Sequence, residues 1–400
     1  MDSSLDTPKS WQRLGVSLAI AIVTNIGIWA IVVVMPAVEA EFISGRAESA
    51  LPYTMTMIGF GIGNATLGRV MDRFGITRAL VGGSLLIGAS FCFAALAGSI
   101  TTLAVVHFCL GVGTAVGFGP LIADISHWFK RKRGIAVAII ASGNYLSGAI
   151  WPSLLTSMLA ESGWRDVYLF LGAMVVVLTL PLSYLMRERP ETSASIAAVP
   201  SRAAGMGQAH LSGRTLQWLL GGAGVCCCVA MSMPQVHIVA YCVGLGYGPA
   251  IGAEMLSVML GCGVISRLIF GYVADRLGGI RTVMISSALQ MLSLFFFLPF
   301  DGVVSLYLVS AAFGLAQGGI VPSYAIVVRE FLPAREAGER VGLVLMMTVF
   351  GMALGGWLSG AIFDVTGSYA MAFLNGALWN LFNLAIMGWL LLRTRALRAA

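Results

Sequence analysis

Twelve apolar runs occupy most of this chain, and nothing else in the sequence constrains the fold as tightly. They fall at 15–38, 51–71, 79–99, 102–127, 134–160, 166–186, 215–242, 249–274, 282–299, 304–328, 341–363 and 370–392. A helix rises about 1.5 Å per residue, so a run of about 20 residues crosses a hydrocarbon core about 30 Å thick. The composition agrees. Of 400 residues, 58% are hydrophobic and 10% charged, with a mean hydropathy of +0.89, where a soluble domain carries about 25% charge. The expected class is an all-α membrane protein with twelve transmembrane helices. The first run is too long for a signal-peptide core and ends without a small-residue cleavage site, so it is expected to remain as a span.

The one long polar connection, 187–214, is rich in Ser, Ala and Pro and has no apolar period. It reads as a cytoplasmic linker between two six-helix halves, 1–186 and 215–400. Orientation follows from Lys and Arg, which favour the cytoplasmic side. Arg69, Arg73 and Arg78 follow span 2, and the run Lys130-Arg131-Lys132-Arg133 follows span 4. Arg187, Arg189, Arg202 and Arg214 follow span 6, Arg276 and Arg281 span 8, and Arg329, Arg335 and Arg340 span 10. The tails add Lys9, Arg13, Arg393, Arg395 and Arg398. Both termini are therefore expected on the cytoplasmic side of the cytoplasmic (plasma, or cell inner) membrane. The 130–133 run imitates a nucleic-acid patch, but its place between two spans makes topology the better reading, and no nucleic-acid partner is expected.

The seven cysteines lie in apolar runs without zinc-ligand spacing and read as small packing residues. The glycine clusters around Gly59, Gly111 and Gly351 match no phosphate-binding loop and read as helix-packing and bending positions. Neither paired acids nor a nucleophile–base pair lies at depth. The chain is expected to be no enzyme, to need no cofactor or metal, and to work as a monomer driven by gradients.

An internal repeat is visible. Gly68, Asp72, Arg73, Gly75 and Arg78 recur as Gly271, Asp275, Arg276, Gly278 and Arg281 at one offset of 203. A looser pair begins at Gly163 and Gly367, at an offset of 204. A duplicated six-span unit is a layout of transporters that rock two halves about a central site. The G-x-x-x-D-R-x-G-x-x-R loop resembles the signature of the major facilitator superfamily. The resemblance implies the major facilitator fold, two pseudo-symmetric halves and a cytoplasmic gating latch. In such a latch Gly lets helices approach closely, and the Asp and Arg pair at a helix end.

One cation stands apart. Arg46 and Arg165 fall in connections on the outer side, the other Lys and Arg in or bordering cytoplasmic segments, and Arg267 lies inside an apolar run. No other basic residue is expected to be buried as it is. Arg267 precedes Asp275 by eight residues, about 12 Å of helix, which places it near the midplane. A cation there costs roughly 2.5 kcal/mol or more, and a guanidinium fork matches a carboxylate. A structural ion pair is the competing reading, with Asp124, Asp364 or Glu254 as partner.

Three stretches resemble the monocarboxylate transporter and oxalate/formate antiporter branches: Arg267-x-x-x-Gly271-x-x-x-Asp275; Trp128-Phe129 through Arg133-Gly134, with Ala141-Ser142-Gly143-Asn144; and Gly163-Trp164-Arg165. The resemblance implies that Arg267 binds a substrate carboxylate. Two departures matter. Gly263 stands where monocarboxylate carriers have an aspartate, and Thr348 where oxalate/formate carriers have a lysine. With one cation instead of two, charge matching favours a monoanion.

Polar side chains in apolar spans complete the candidate site: Asn25 and Trp29, Asn144 and Tyr145, His237 and Tyr241, Gln317 and Tyr324. Each reads equally as a cavity group or an interhelical hydrogen bond, and Trp29 also as packing. His237 could carry a coupling proton, since its unperturbed pKa lies near 6.5, or be a hydrogen-bonded core histidine. The expected function is secondary transport of a small organic anion, a monocarboxylate, by proton symport or anion exchange. A drug or cation exporter of the same fold would need an acid at midplane. A non-transporting receptor would need no repeated latch.

Overall fold

The computed structural model describes residues 5–188, 212–332 and 334–399, and every regular element among them is helical. In chain order the helices are α1 (Pro8–Thr24), α2 (Ile26–Phe42), α3 (Arg46–Phe74), α4 (Ile76–Ala95), α5 (Ile100–Thr114), α6 (Gly119–Trp128), α7 (Arg133–Ala141) and α8 (Gly143–Tyr184). Then come α9 (Gly213–Gly244), α10 (Pro249–Leu277), α11 (Gly279–Phe296), α12 (Val303–Gln317), α13 (Ile320–Phe331), α14 (Ala334–Thr366) and α15 (Tyr369–Ala399).

Among the described residues, ten helical stretches are long and apolar enough to cross a membrane. One of them, Arg133–Tyr184, is divided at Gly163, whose φ of 81° and ψ of 171° are not helical. It therefore supplies two of the expected spans. α3 is too polar to count among the ten, because Thr54, Thr56, Asn64 and several glycines interrupt it, yet it is 29 residues long and covers the expected run 51–71. Most helices overrun the apolar runs, since polar residues extend a helix beyond hydrocarbon.

The chain divides into two compact units, Met1–Ala194 with Ile238–Gly261, and Ser195–His237 with Cys262–Ala400. Most of the expected linker 187–214 lies outside the described residues. In the first unit α3 packs along α5, α4 along α5 and α8, and both α1 and α2 along α8. In the second, α11 is the hub and packs on α12, α13 and α15.

The repeat is written into the backbone. Gly75 (φ 84°, ψ 161°) closes α3 and opens α4, and Gly278 (φ 82°, ψ 166°) does the same for α10 and α11. Gly163 and Gly367, the looser pair, also have positive φ, 81° and 68°. These are conformations an L side chain resists.

Four spans are broken, and the breaks position the site. Span 1 breaks at Asn25 between α1 and α2, and span 5 at Ser142 between α7 and α8. Span 4 breaks after α5, through a 3₁₀ turn at Ala115–Gly117, and span 10 breaks at Gly318 and Gly319, between α12 and α13. The span 4 and span 10 breaks occupy corresponding places in the two repeats.

The start of α1 is clamped. Thr7 and Ser10 form a capping box around Pro8. Asp6, at φ 57°, accepts hydrogen bonds from the backbone N–H groups of Lys130 (3.2 Å), Arg131 (2.9 Å) and Lys132 (3.2 Å). Arg13 donates from Nε and Nη2 to Asp124 (3.0 and 2.9 Å) and from Nη1 to the Glu188 carbonyl (3.2 Å). Desolvation alone would raise the Asp6 pKa. The N–H groups of 130–132 outweigh it together and hold the carboxyl below the usual aspartate range. A depressed folded pKa contributes stability above the unfolded value and loses it as pH falls through the folded one. Asp6→Asn should therefore lower the thermal midpoint in detergent at neutral pH, and the difference from the parent should shrink as pH drops below about 4. A difference independent of pH would contradict this clasp.

Candidate functional site

The second unit holds Arg267, His237, Gln317 and Tyr324. Arg267 lies in the unbroken helix α10, so its separation from Asp275 is a true helical rise. Ile265, Leu268 and Ile269 are exposed on α10, Ser266 and Phe270 are buried, and Arg267 is half-buried between them. The backbone here is pinned to the break in span 10. Ser266 donates from its hydroxyl to the Leu315 carbonyl (2.6 Å) and accepts from the Gly318 N–H (3.1 Å). It serves two backbone groups that the broken helix cannot pair internally. The contact is close because Gly318 has no side chain. A Cβ there would stand 2.5 Å from the Gly263 carbonyl oxygen and 2.8 Å from the Arg267 nitrogen. Gly263, the position of the expected but missing acid, is thus part of this tight crossing.

Gln317, the last residue of α12, accepts at Oε1 from Gln235 Nε2 (2.6 Å), and both side chains are fully buried. His237 is also fully buried. Its Nε2 lies 2.7 Å from the Gly356 carbonyl and its Nδ1 3.0 Å from the Tyr369 hydroxyl. A carbonyl only accepts, so Nε2 carries the proton, and in the neutral ring Tyr369 donates to Nδ1. Tyr324 donates to Asn383 Oδ1 (2.7 Å), and Asn383 Nδ2 donates to Ser287 Oγ (2.7 Å). Asn380 and Gln290 extend this buried network to the Ser287 and Cys227 carbonyls.

In the first unit the structure brings Trp29 and Asn144 together. Trp29 Nε1 lies 3.0 Å from both the backbone and side-chain oxygens of Asn144, and Tyr145 is buried beside them in sequence. Asn25 donates to the Ala21 carbonyl (2.8 Å) and to the Gly117 carbonyl at the span 4 break (3.1 Å). Tyr241 is half-buried. Sequence reasoning missed Gln235, Ser266, Asn380 and Asn383. All four are polar residues in apolar spans, the signal that found Gln317 and Tyr324, the partners of Gln235 and Asn383.

Three expectations need correction. Arg267 is not the most buried cation: Arg13 is 6% exposed and Arg46 9%. Both stand near helix ends with a carboxylate in reach, Arg13 on Asp124 and Arg46 on Glu39 (2.7 Å). Asp124, one of three acids considered as an ion-pair partner for Arg267, is engaged by Arg13. The repeated loops also differ from expectation in detail. Asp72, Arg73, Arg78, Asp275, Arg276 and Arg281 are exposed, and the described residues show no ion pair for Asp72 or Asp275. Arg73 lies over the Phe74 ring (5.3 Å) and Arg276 over Tyr272 (4.3 Å) instead. Gly68 and Gly271 face open space rather than a neighbouring helix.

The sequence profile of the Major Facilitator Superfamily matches residues 18–305 and 245–400. The chain belongs to that superfamily. It is a secondary transporter, not an enzyme. It is 26% identical over 340 residues to monocarboxylate transporter 13 of Bos taurus, covering 83% of this chain and 79% of that one. It is 27% identical over 348 residues to monocarboxylate transporter 11 of Homo sapiens, covering 82% and 70%, and 23% identical over 340 residues to the MFS transporter asaE of Aspergillus flavus, covering 82% and 73%. Solved structures share the fold. A bacterial homologue of the human lysosomal transporter Spinster, inward-facing and occupied, aligns with a TM-score of 0.71 at 15% identity over 98% of both chains. A mutant of the nucleoside transporter NupG aligns with 0.72 at 16% identity over 94% of this chain and 99% of its own.

Ser266→Ala removes the partner of both the Gly318 N–H and the Leu315 carbonyl. It should lower stability by about 1–3 kcal/mol, read as a fall in thermal midpoint in detergent. An unchanged midpoint would show that the break is held by something else.

Proposed function

We propose that this transporter carries a small organic anion, a monocarboxylate, with Arg267 as its binding group. The observation that carries the reading is the placement of Arg267: half-buried in mid-helix and fixed in position by the Ser266–Gly318 crossing. The names of the relatives, two of them monocarboxylate transporters, support the substrate class. Thr348 supports a monoanion. It is buried and donates to the Leu345 carbonyl (2.6 Å), so the position of a second cation in oxalate/formate carriers holds a neutral side chain. The remaining candidates, Asn25, Trp29, Asn144, Tyr145, Tyr241 and Tyr324, would shape the cavity or its walls.

The mechanism follows from charge. An anion bound to the guanidinium neutralises it, so the loaded site crosses the low-dielectric interior more cheaply than the empty one. Two halves, 1–186 and 215–400, would alternate the exposure of Arg267 between the two sides, the loops at 68–78 and 271–281 acting as cytoplasmic latches. Proton symport or anion exchange would keep the step electroneutral. Positive-inside charge supports cytoplasmic termini in the plasma membrane.

In proteoliposomes, Arg267→Ala should reduce carboxylate uptake at least about 100-fold, the scale of a lost buried charge-assisted bond. Arg267→Lys should also fail, because an ammonium lacks the paired donors. Robust uptake by the alanine variant would remove the reading. His237 is the proton candidate, although its locked Nε2–H supports a packing role instead. His237→Gln should then leave the pH dependence of uptake unchanged, and a flattened pH profile would restore it as the relay.

A further inference from the structure

The Gln235–Gln317 pair has hydrogen-bonding capacity that the protein does not use. Both amides are fully buried and share one bond of 2.6 Å. A closed amide pair would exchange two bonds, but Gln235 Oε1 and Gln317 Nε2 have no partner. Buried polar atoms of this kind are ordinarily satisfied. The inventory does not depend on amide assignment: exchanging O and N in both side chains again leaves one acceptor and one donor.

The backbone next to the pair packs against the turn of α10 that carries Arg267. Gln317 precedes Gly318, whose Cβ position is 2.8 Å from the Arg267 nitrogen and 2.7 Å from the Ser266 Cβ. Gln235 comes from α9, just after Pro234, and meets Gln317 at the end of α12. The amide pair, on α9 and α12, thus lies one residue from the backbone crossing of α12 with α10 at Arg267, and it offers an acceptor and a donor without charge.

Resting on the role assigned to Arg267, we infer that the preferred anion bears, beside its carboxylate, one neutral group that both donates and accepts a hydrogen bond: a hydroxyl or an amide. Such a group bonds Gln235 Oε1 through its hydrogen and Gln317 Nε2–H through its oxygen. A ketone or an alkyl branch has no hydrogen to give. A second carboxylate has none either and brings an extra charge. Gln235 and Gln317 are thus specificity-determining residues.

The test uses purified full-length protein in detergent and reads ligand affinity from the shift in unfolding midpoint. Two near-isosteric pairs serve as probes: 2-hydroxypropionate against 2-methylpropionate, and N-acetylglycinate against 4-oxopentanoate. In at least one pair the donor-bearing member should bind about tenfold more tightly, the scale of one buried hydrogen bond. The pair that discriminates names the group, hydroxyl or amide. Gln235→Met with Gln317→Met should abolish the discrimination and keep 2-methylpropionate binding. Equal affinity within both pairs for the unaltered protein, as water filling the gap would give, overturns the inference. So does failure of both donor-bearing probes to bind, or discrimination that survives the double variant. Undiminished binding of all four probes by Arg267→Ala is a separate result, which overturns the carboxylate site itself.

Discussion

Backbone groups inside hydrocarbon have no water to turn to, so the groups freed by a break in a spanning helix must find partners in nearby backbone or side chains. The geometry of this protein follows that rule closely. The span 4 break leaves the Gly117 carbonyl and the Gly119 N–H, which are served by Asn25 (3.1 Å) and Asn64 (3.0 Å). The span 10 break leaves the Leu315 carbonyl and the Gly318 N–H, and Ser266 serves both. In each repeat the repair comes from the second span, joined in the first by span 1. Each break is a glycine packed with no room for a side chain: a Cβ on Gly117 would stand 1.9 Å from Thr24 Oγ1, and one on Gly319 2.3 Å from the Phe270 Cβ.

The two repairs are not identical, and the difference is where function enters. At the offset of 203 that aligns the signature loops, Arg267 corresponds to Asn64. In the first half that position is committed to the break, because Asn64 accepts from Gly119 and donates to the Phe60 carbonyl (2.8 Å). In the second half Ser266, one residue earlier, takes over the repair. The next position, which in the first half does the repair, here carries a guanidinium. The duplicated scaffold thus moves one hydrogen-bonding task by one residue between its two halves. The same crossing brings the Gly263 carbonyl within 2.5 Å of where a Cβ on Gly318 would stand, so it needs glycine at 318.

Much of this was legible in the sequence. The spans follow from hydropathy alone, and the glycine turns follow from the repeat, because Gly75 and Gly278 must adopt a conformation that other residues resist. What the sequence left open was pairing. Asn25, Gln317 and Tyr324 were visible as polar residues in apolar runs, but their partners lie on other helices, at registers that periodicity does not encode. Arg13 was misplaced for a similar reason. Its run was read from 15, whereas the Thr7–Ser10 capping box starts the helix at Pro8 and draws Arg13 into the packed end beside Asp124. Hydropathy sees where apolar residues begin, while helix caps decide where the helix does.

Charge and neutral polarity divide the interior between them. The carboxylate partners of Arg13, Arg46 and Arg165 are Asp124, Glu39 and Glu41, and each pair stands near a helix end, where water limits the desolvation cost that buried ion pairs incur. Farther in, the helices are joined by neutral groups: Thr56 and Tyr168 on the two nitrogens of His107 (2.8 and 3.1 Å), Tyr369 on His237, and Asn383 on Tyr324. Neutral bonds of this kind hold spans together without the cost of an ionised group. On the proposed reading, a carboxylate held by Arg267 would be the charge that makes its own burial tolerable.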